Sequence, residues 1–161
     1  MANILLLGHG AREHVIAETL KKNKAAKLYS FMKSNNPGIA SLSEKTELGS
    51  YSDLEKIKRF AKDNDIDFCF VGPEDPLKEG VVDALEEMGI ESVGPKKALA
   101  RLETSKSFAR ELLKKYGIEG NPKFKVFSKK NIDELNGFLD ELGGIVIKPD
   151  GLTGGKGVKV Q

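Results

Sequence analysis

The stretch Ile4-Leu5-Leu6-Leu7-Gly8-His9-Gly10-Ala11-Arg12-Glu13-His14 decides the fold. Its four apolar residues read as a buried strand, and a helical pattern follows from about Arg12 to Lys22, with Val15, Ile16 and Leu20 on one face. A strand feeding a helix through a glycine turn points backbone N–H groups at whatever binds there, and favours an anion. Arg12 can clamp a phosphate with two parallel bonds. His14 reads as a surface or helix-packing residue. A dinucleotide site would want a further glycine where Glu13 stands, and an acid where Met32-Lys33-Ser34 ends the next strand. Both departures speak against a nicotinamide cofactor.

Working outward, Lys27 to Met32 reads as a second strand and Asn35-Asn36-Pro37-Gly38 as a loop. Ser52 or Asp53 is the expected N-cap of a helix to about Lys62. Asp67 to Val71 is the clearest central strand. A helix over Leu77 to Met88 ends at Gly89, and Glu91 to Val93 is a short strand. Alternation of strands and helices predicts an α/β fold: a Rossmann-like parallel sheet with helices on both faces. Ligands of such sheets sit at the carboxyl ends of the strands. Those ends carry Gly8-His9-Gly10, the Ser34 to Gly38 loop and Gly72-Pro73-Glu74. Two prolines in Val71-Gly72-Pro73-Glu74-Asp75-Pro76-Leu77 fix the backbone there. Glu74 could accept bonds from sugar hydroxyls, or merely favour the start of the next helix.

The pattern changes near residue 102. The expected elements are a helix from Thr104 to Tyr116 capped by Gly117, a strand over Phe124 to Phe127, and a helix from Asn131 to Leu142 before Gly143-Gly144. Ile145 to Lys148 and Val158 to Val160 then read as a hairpin around an oversized glycine turn. In Lys148-Pro149-Asp150-Gly151-Leu152-Thr153-Gly154-Gly155-Lys156-Gly157-Val158 the P-loop pattern fails, because Lys156 is followed by Gly157 and strands flank both sides. A glycine loop between antiparallel strands can instead fold over a triphosphate, with backbone donors and no side-chain obstruction. Lys148 would add a point charge. In Leu102-Glu103-Thr104-Ser105-Lys106-Ser107-Phe108, Lys106 opens a helix, where a cation is unfavourable unless an anion lies nearby. The chain ends at Gln161 inside the hairpin's second strand, so the expectation is a segment of a longer protein.

Composition bounds the partners. Net charge is +2, and the basic residues are interleaved with acidic ones, which argues against a nucleic-acid partner. No segment approaches the ~20 apolar residues that span a bilayer, so no membrane partner is expected. The single cysteine, Cys69, lies in an apolar run and reads as an inert core residue of a cytoplasmic protein.

Together and in order, these four motifs resemble the N-terminal part of the phosphoribosylamine–glycine ligase family, within the ATP-grasp superfamily. The family's Gly-x-Gly-Gly-Arg-Glu-His is matched by Gly8 to His14, with Ala11 replacing a glycine. Its Val-Gly-Pro-Glu-x-Pro-Leu is matched by Val71 to Leu77, and its Leu-Glu-x-Ser-Lys-x-Phe by Leu102 to Phe108. Its Lys-Ala-Asp-Gly-Leu-Ala-x-Gly-Lys-Gly-Val is matched by Lys148 to Val158, except at Pro149 and Thr153. Ser34 to Ile39 departs from the usual Pro-Gly-Asn.

The resemblance implies two regions: a phosphoribosyl-binding pre-ATP-grasp domain over residues 1–102, and the beginning of an ATP-grasp domain over 103–161. It implies that glycine, phosphoribosylamine and ATP are the small-molecule substrates, joined through a glycyl phosphate. Gly8, Gly10, Ala11, Arg12, Glu13, Gly72, Pro73 and Glu74 would bind the phosphoribosyl part. Lys106 and Lys148 would contact ATP phosphates, with Gly154, Gly155, Lys156 and Gly157 covering them. Magnesium or manganese would be held by residues downstream of Gln161, in the remainder of the ligase chain, and no catalytic residue is assigned. Biotin-dependent and aminoimidazole ribonucleotide carboxylases share the glycine-loop logic, but lack the Gly8 to His14 opening. A non-catalytic phosphosugar-binding or nucleotide-binding module is the alternative outside enzymes.

Overall fold

The computed structural model describes residues 1–142 and 144–160; Gly143 and Gln161 lie outside the described residues. The chain forms two compact units, Met1–Ala100 and Arg101–Gln161.

The first unit is built on five parallel strands: β1 Ala2–Leu7, β2 Ala26–Met32, β3 Lys45–Leu48, β4 Phe68–Val71 and β5 Glu91–Val93. Their order is β3-β2-β1-β4-β5, with all four neighbouring pairs parallel. The chain runs outward from β1 to one side, then returns to pair β4 on the other. The switch of direction therefore falls between the carboxyl ends of β1 and β4, where open α/β sheets bind ligands.

Strand alternation explains the two layers of core. Leu5 and Leu7 point to one face, with Phe31, Ile57, Phe60, Val81, Val82 and Leu85. Leu6 points to the other, with Ala17, Leu28, Met32 and Ile39. The second layer is covered by α1 (Ala11–Lys21) and α2 (Pro37–Leu42). The first is covered by α3 (Leu54–Asp63), α4 (Glu74–Glu79) and α5 (Val81–Glu86). Cys69 is fully buried, and burial pushes its thiol pKa up, as an inert core residue requires. No helix among the described residues is long and apolar enough to cross a membrane.

Several expectations need correction. Ile16 and Leu20 pack partly buried against the second layer as expected, but Val15 is 62% exposed and the residues α1 buries are Glu13 and Ala17. Asn36 caps α2 and Pro37 opens it, so the expected loop there is a helix start. The helix expected over Leu77 to Met88 begins earlier, at Glu74, and breaks at Gly80, whose φ of 91° is left-handed. Lys45–Leu48 is a strand that its polar composition concealed.

The second unit holds the last half of α6 (Lys97–Thr104), then α7 (Lys106–Lys115), α8 (Leu135–Asp140) and an antiparallel pair, β6 Val146–Ile147 and β7 Lys159–Val160. The helix expected from Thr104 begins at Lys106 as α7, and Ser105 caps it by accepting from the Phe108 N–H. No strand forms at Phe124 to Phe127. Asn131 instead anchors that segment, donating to the Val126 carbonyl and accepting from the Ser128 N–H. The helix expected from Asn131 to Leu142 is shortened to α8, preceded by a 3₁₀ turn over Ile132–Glu134.

Because Leu6 is fully buried within β1, Leu6→Ala is expected to lower the free energy of unfolding by about 2–5 kcal/mol. Urea titration followed by circular dichroism would measure this. A loss near zero would contradict the two-layer core.

Candidate functional site

At the switch point, β1 is followed by Gly8 and β4 by Gly72. The Gly8 N–H donates to the Phe31 carbonyl and the Gly72 N–H to the Leu7 carbonyl, which fastens both turns to the sheet. The Glu13 side chain lies between the turns and is almost wholly buried. A Cβ on Gly8 would stand 2.2 Å from Glu13 Cγ, and one on Gly72 would stand 2.3 Å from it. Gly8 also has φ +133°, which L side chains rarely adopt. Glycine is required here because a carboxylate side chain occupies the space that a methyl would take.

The Glu13 carboxylate is satisfied locally. Oε2 accepts from the Gly10 N–H at 2.7 Å and Oε1 from Arg12 Nε at 3.0 Å. The first bond is half of a capping box; the other half needs a side chain that Gly10 lacks. Glu13 therefore fixes the turn and aims Arg12. This role accounts for the residue that fails the dinucleotide pattern.

Arg12 reaches across the switch point. Its Nη1 and Nη2 each lie 3.4 Å from Glu74 Oε1, so two residues from separate motifs share one edge. Both are solvent-accessible, at 58% and 34% of the side chain. The bond to Glu13, and the nearby Glu74, raise the Arg12 guanidinium further above its ordinary pKa. The N–H groups of Ala11 and Arg12 open α1 and have no acceptor within the helix. One guanidinium beside one carboxylate, with two helix-start N–H groups that lack an intrahelical acceptor, makes a set that can grip a phosphate and accept from a hydroxyl.

Four further residues shape this edge. Asn36 donates to the His9 carbonyl at 2.9 Å while capping α2. His9 Nδ1 lies 3.1 Å from the buried Tyr51 hydroxyl, whose pKa burial raises to about 12. The His14 ring fills the space beside Gly38, confirming a packing role. Asn36 and Tyr51 were not legible as site residues, since their partners lie 27 and 42 positions away.

In the second unit, Lys106 Nζ donates to the Gly151 carbonyl at 2.5 Å. Lys106 is thus neither simply solvated nor far from the glycine turn. The anion its helix position demands is Asp150. Its carboxylate accepts from the Ser107 N–H at 3.1 Å and the Ser107 hydroxyl at 2.6 Å. The Gly151 N–H and the Ser105 hydroxyl also donate to it. Lys148 is exposed, as are Gly154, Gly155, Lys156 and Gly157. Gly154, Gly155 and Gly157 have φ of 57°, 76° and 77°, and a Cβ on Gly154 or Gly155 would meet nothing within 4 Å. Such an open, left-handed turn suits close approach of a phosphate to backbone N–H groups. Among the described residues no cluster of histidine, cysteine or acidic side chains could hold a metal ion.

Glu13→Ala removes the acceptor of the Gly10 N–H and is expected to cost about 1–3 kcal/mol in stability, measured by denaturant titration. An unchanged midpoint would refute the capping role. Asp150 gives a pH test. Burial raises its pKa, but the bonds from Ser107, Gly151 and Ser105 outweigh burial and hold it at about 2, below the ordinary 3.8. Its folded pKa is the lower one, so its contribution is complete above about pH 4 and is lost as pH falls towards 2. The Gly151 amide resonance should therefore stay constant from neutral pH to about 4 and move only below it.

The family model described as "Phosphoribosylglycinamide synthetase, N domain" matches residues 2–103, and that described as "Phosphoribosylglycinamide synthetase, ATP-grasp (A) domain" matches residues 104–161. The phosphoribosylamine–glycine ligase of Methanocaldococcus jannaschii is 56% identical over 98% of this chain, but only 36% of that protein is covered. The chain thus spans about a third of its relative's length. Phosphoribosylglycinamide synthetase from Anaerococcus prevotii superposes with TM-score 0.67 at 16% identity, over 99% of this chain and 38% of that one. The biotin carboxylase domain of Hydrogenobacter thermophilus 2-oxoglutarate carboxylase, solved with MgADP, ADP and bicarbonate, gives TM-score 0.77 at 17% identity, over 98% and 37%. The fold is that of ATP-grasp enzymes, and the chain belongs to the phosphoribosylglycinamide synthetase family.

Proposed function

We propose that this chain carries the phosphoribosyl-binding edge and the first grip on ATP of a ligase that joins glycine to 5-phosphoribosylamine. The observation that carries the reading is the convergence of Arg12 and Glu74 over the glycine floor of the switch point. A phosphosugar has a dianion at one end and hydroxyls at the other. Arg12 and the N–H groups of Ala11 and Arg12 suit the phosphate, and Glu74 suits a hydroxyl. Gly8, Gly10, Gly72 and Pro73 keep the floor close, and Glu13 holds the turn. Residues 1–102 would form this phosphoribosyl domain, and 103–161 the start of the ATP-grasp domain.

In the reaction, a glycine carboxylate oxygen attacks the γ-phosphorus of ATP, and ADP leaves. The amine of phosphoribosylamine then attacks the acyl carbon, and inorganic phosphate departs with the bonding pair. The products are glycinamide ribonucleotide, ADP and phosphate. Lys106 and Lys148 would offset charge on the phosphates. Gly154, Gly155, Lys156 and Gly157 would close over them. Magnesium or manganese, when bound, would neutralise charge developing on the phosphates; its ligands would come from the part of the enzyme that this chain does not span. The reaction is one of the reducing cytoplasm, with small molecules rather than nucleic acid or membrane as partners.

Arg12→Ala should weaken binding of ribose 5-phosphate to this chain about ten- to a hundredfold, the loss of one or two charge-assisted bonds, by calorimetry. Unchanged affinity would sink the assignment. Supplied with phosphoribosylamine, glycine, ATP and magnesium, the 161-residue chain should bind nucleotide without continuous turnover. Steady ADP release would show that the segment is catalytically sufficient.

A further inference from the structure

We propose that Asp150 is a positioning residue: it latches the base of the glycine turn to the first turn of α7, and nucleotide affinity depends on it without direct contact. The proposal rests on the ATP-binding reading of that turn.

The geometry leaves Asp150 little else to do. Its two oxygens accept from four donors: the Ser107 N–H, the Ser107 hydroxyl, the Ser105 hydroxyl and the Gly151 N–H. A carboxylate with its lone pairs so engaged is poorly placed to ligate a metal, and as an anion it is unsuited to touch a phosphate. Three of the donors belong to the start of α7 and one to the turn itself. The bonds therefore join two segments more than forty positions apart in sequence. A negative charge here also complements the positive end of α7.

The latch does not act alone. Lys106, on the same helical turn, donates to the Gly151 carbonyl, so residue 151 is held from both its N–H and its carbonyl side. Pro149 closes the base: a Cβ on Gly157 would come within 3.0 Å of its ring. Beyond this anchored base, Gly154 and Gly155 have no crowding neighbour. Fixing the base while leaving the tip open reduces the ordering cost of closing the turn over a ligand. Lys106 would then swing towards phosphate from a turn that Asp150 still holds.

The test compares Asp150→Ala with Asp150→Asn in the 161-residue chain. Asparagine keeps one oxygen for the Ser107 and Gly151 N–H groups, and its amide can donate to the Ser107 hydroxyl. Amide hydrogen exchange at Ser107 and Gly151, without nucleotide, reads the latch. Calorimetric titration with ADP reads affinity. In Asp150→Ala both exchange rates should rise about tenfold and ADP affinity fall by a similar factor, the loss of about one hydrogen bond. Asp150→Asn should restore both to near wild type. Exchange at core amides of β1, unaltered in both variants, would exclude general unfolding. Three results would overturn the proposal: unchanged exchange in Asp150→Ala, weakened ADP binding with unchanged exchange (a direct contact instead), or failure of asparagine to restore either. A wild-type chain that did not bind ADP would refute the nucleotide reading, and the exchange comparison would still decide whether the latch exists.

Discussion

One buried carboxylate sets the terms for the first unit. Glu13 sits where β1 and β4 diverge, and its neighbours on three sides are glycines. A charged group can be held in so dry a place only if its oxygens are bonded. Here the donors are the Gly10 N–H and Arg12 Nε. Everything else at this edge follows: Gly8 and Gly72 cannot carry a side chain, α1 begins where it does, and Arg12 is turned towards Glu74. The exposed Arg12 charge is thus oriented by a hidden one. Such arrangements keep a flexible guanidinium from spending entropy each time it binds.

The second unit solves a related problem with opposite signs. Lys106 and Ser107 open a helix whose positive end repels a cation, and Asp150 supplies the compensating charge from a distant loop. In both units, then, a helix start that can serve an anionic ligand is organised by a carboxylate of the chain itself. Glu13 is buried inside its own helix turn, whereas Asp150 arrives from outside and is accessible. The first is a fixture of the fold; the second is a tie between segments.

Most of the first unit was legible because its strands are short apolar runs between glycine signals, and period-two alternation in Ile4 to Leu7 serves both faces at once. What escaped had physical reasons. Lys45–Leu48 is an edge strand, half solvated, and so lacks the apolar signature. Gly80 breaks a helix that periodicity alone would continue. Phe124 to Phe127 has β-forming residues, yet Asn131 captures its backbone first. At the site, motif glycines and Arg12, Glu74 and Lys106 were readable from local pattern. Asn36, Tyr51 and the binding partners of Asp150 were not, because each acts through a contact that only the folded chain creates.

The edges of the five-stranded sheet bear on how the molecule behaves when concentrated. One edge, β3, carries Lys45 over the Phe60 ring and Glu47 paired with Lys56; the other, β5, is only three residues long. Neither offers a long apolar template to another strand. The β6–β7 pair is different: Val146, Ile147 and Val160 are exposed on a ribbon of two-residue strands. Self-association of this chain would therefore begin at the ribbon rather than at the sheet, and charged substitutions there would improve its solubility without touching the Arg12–Glu74 edge.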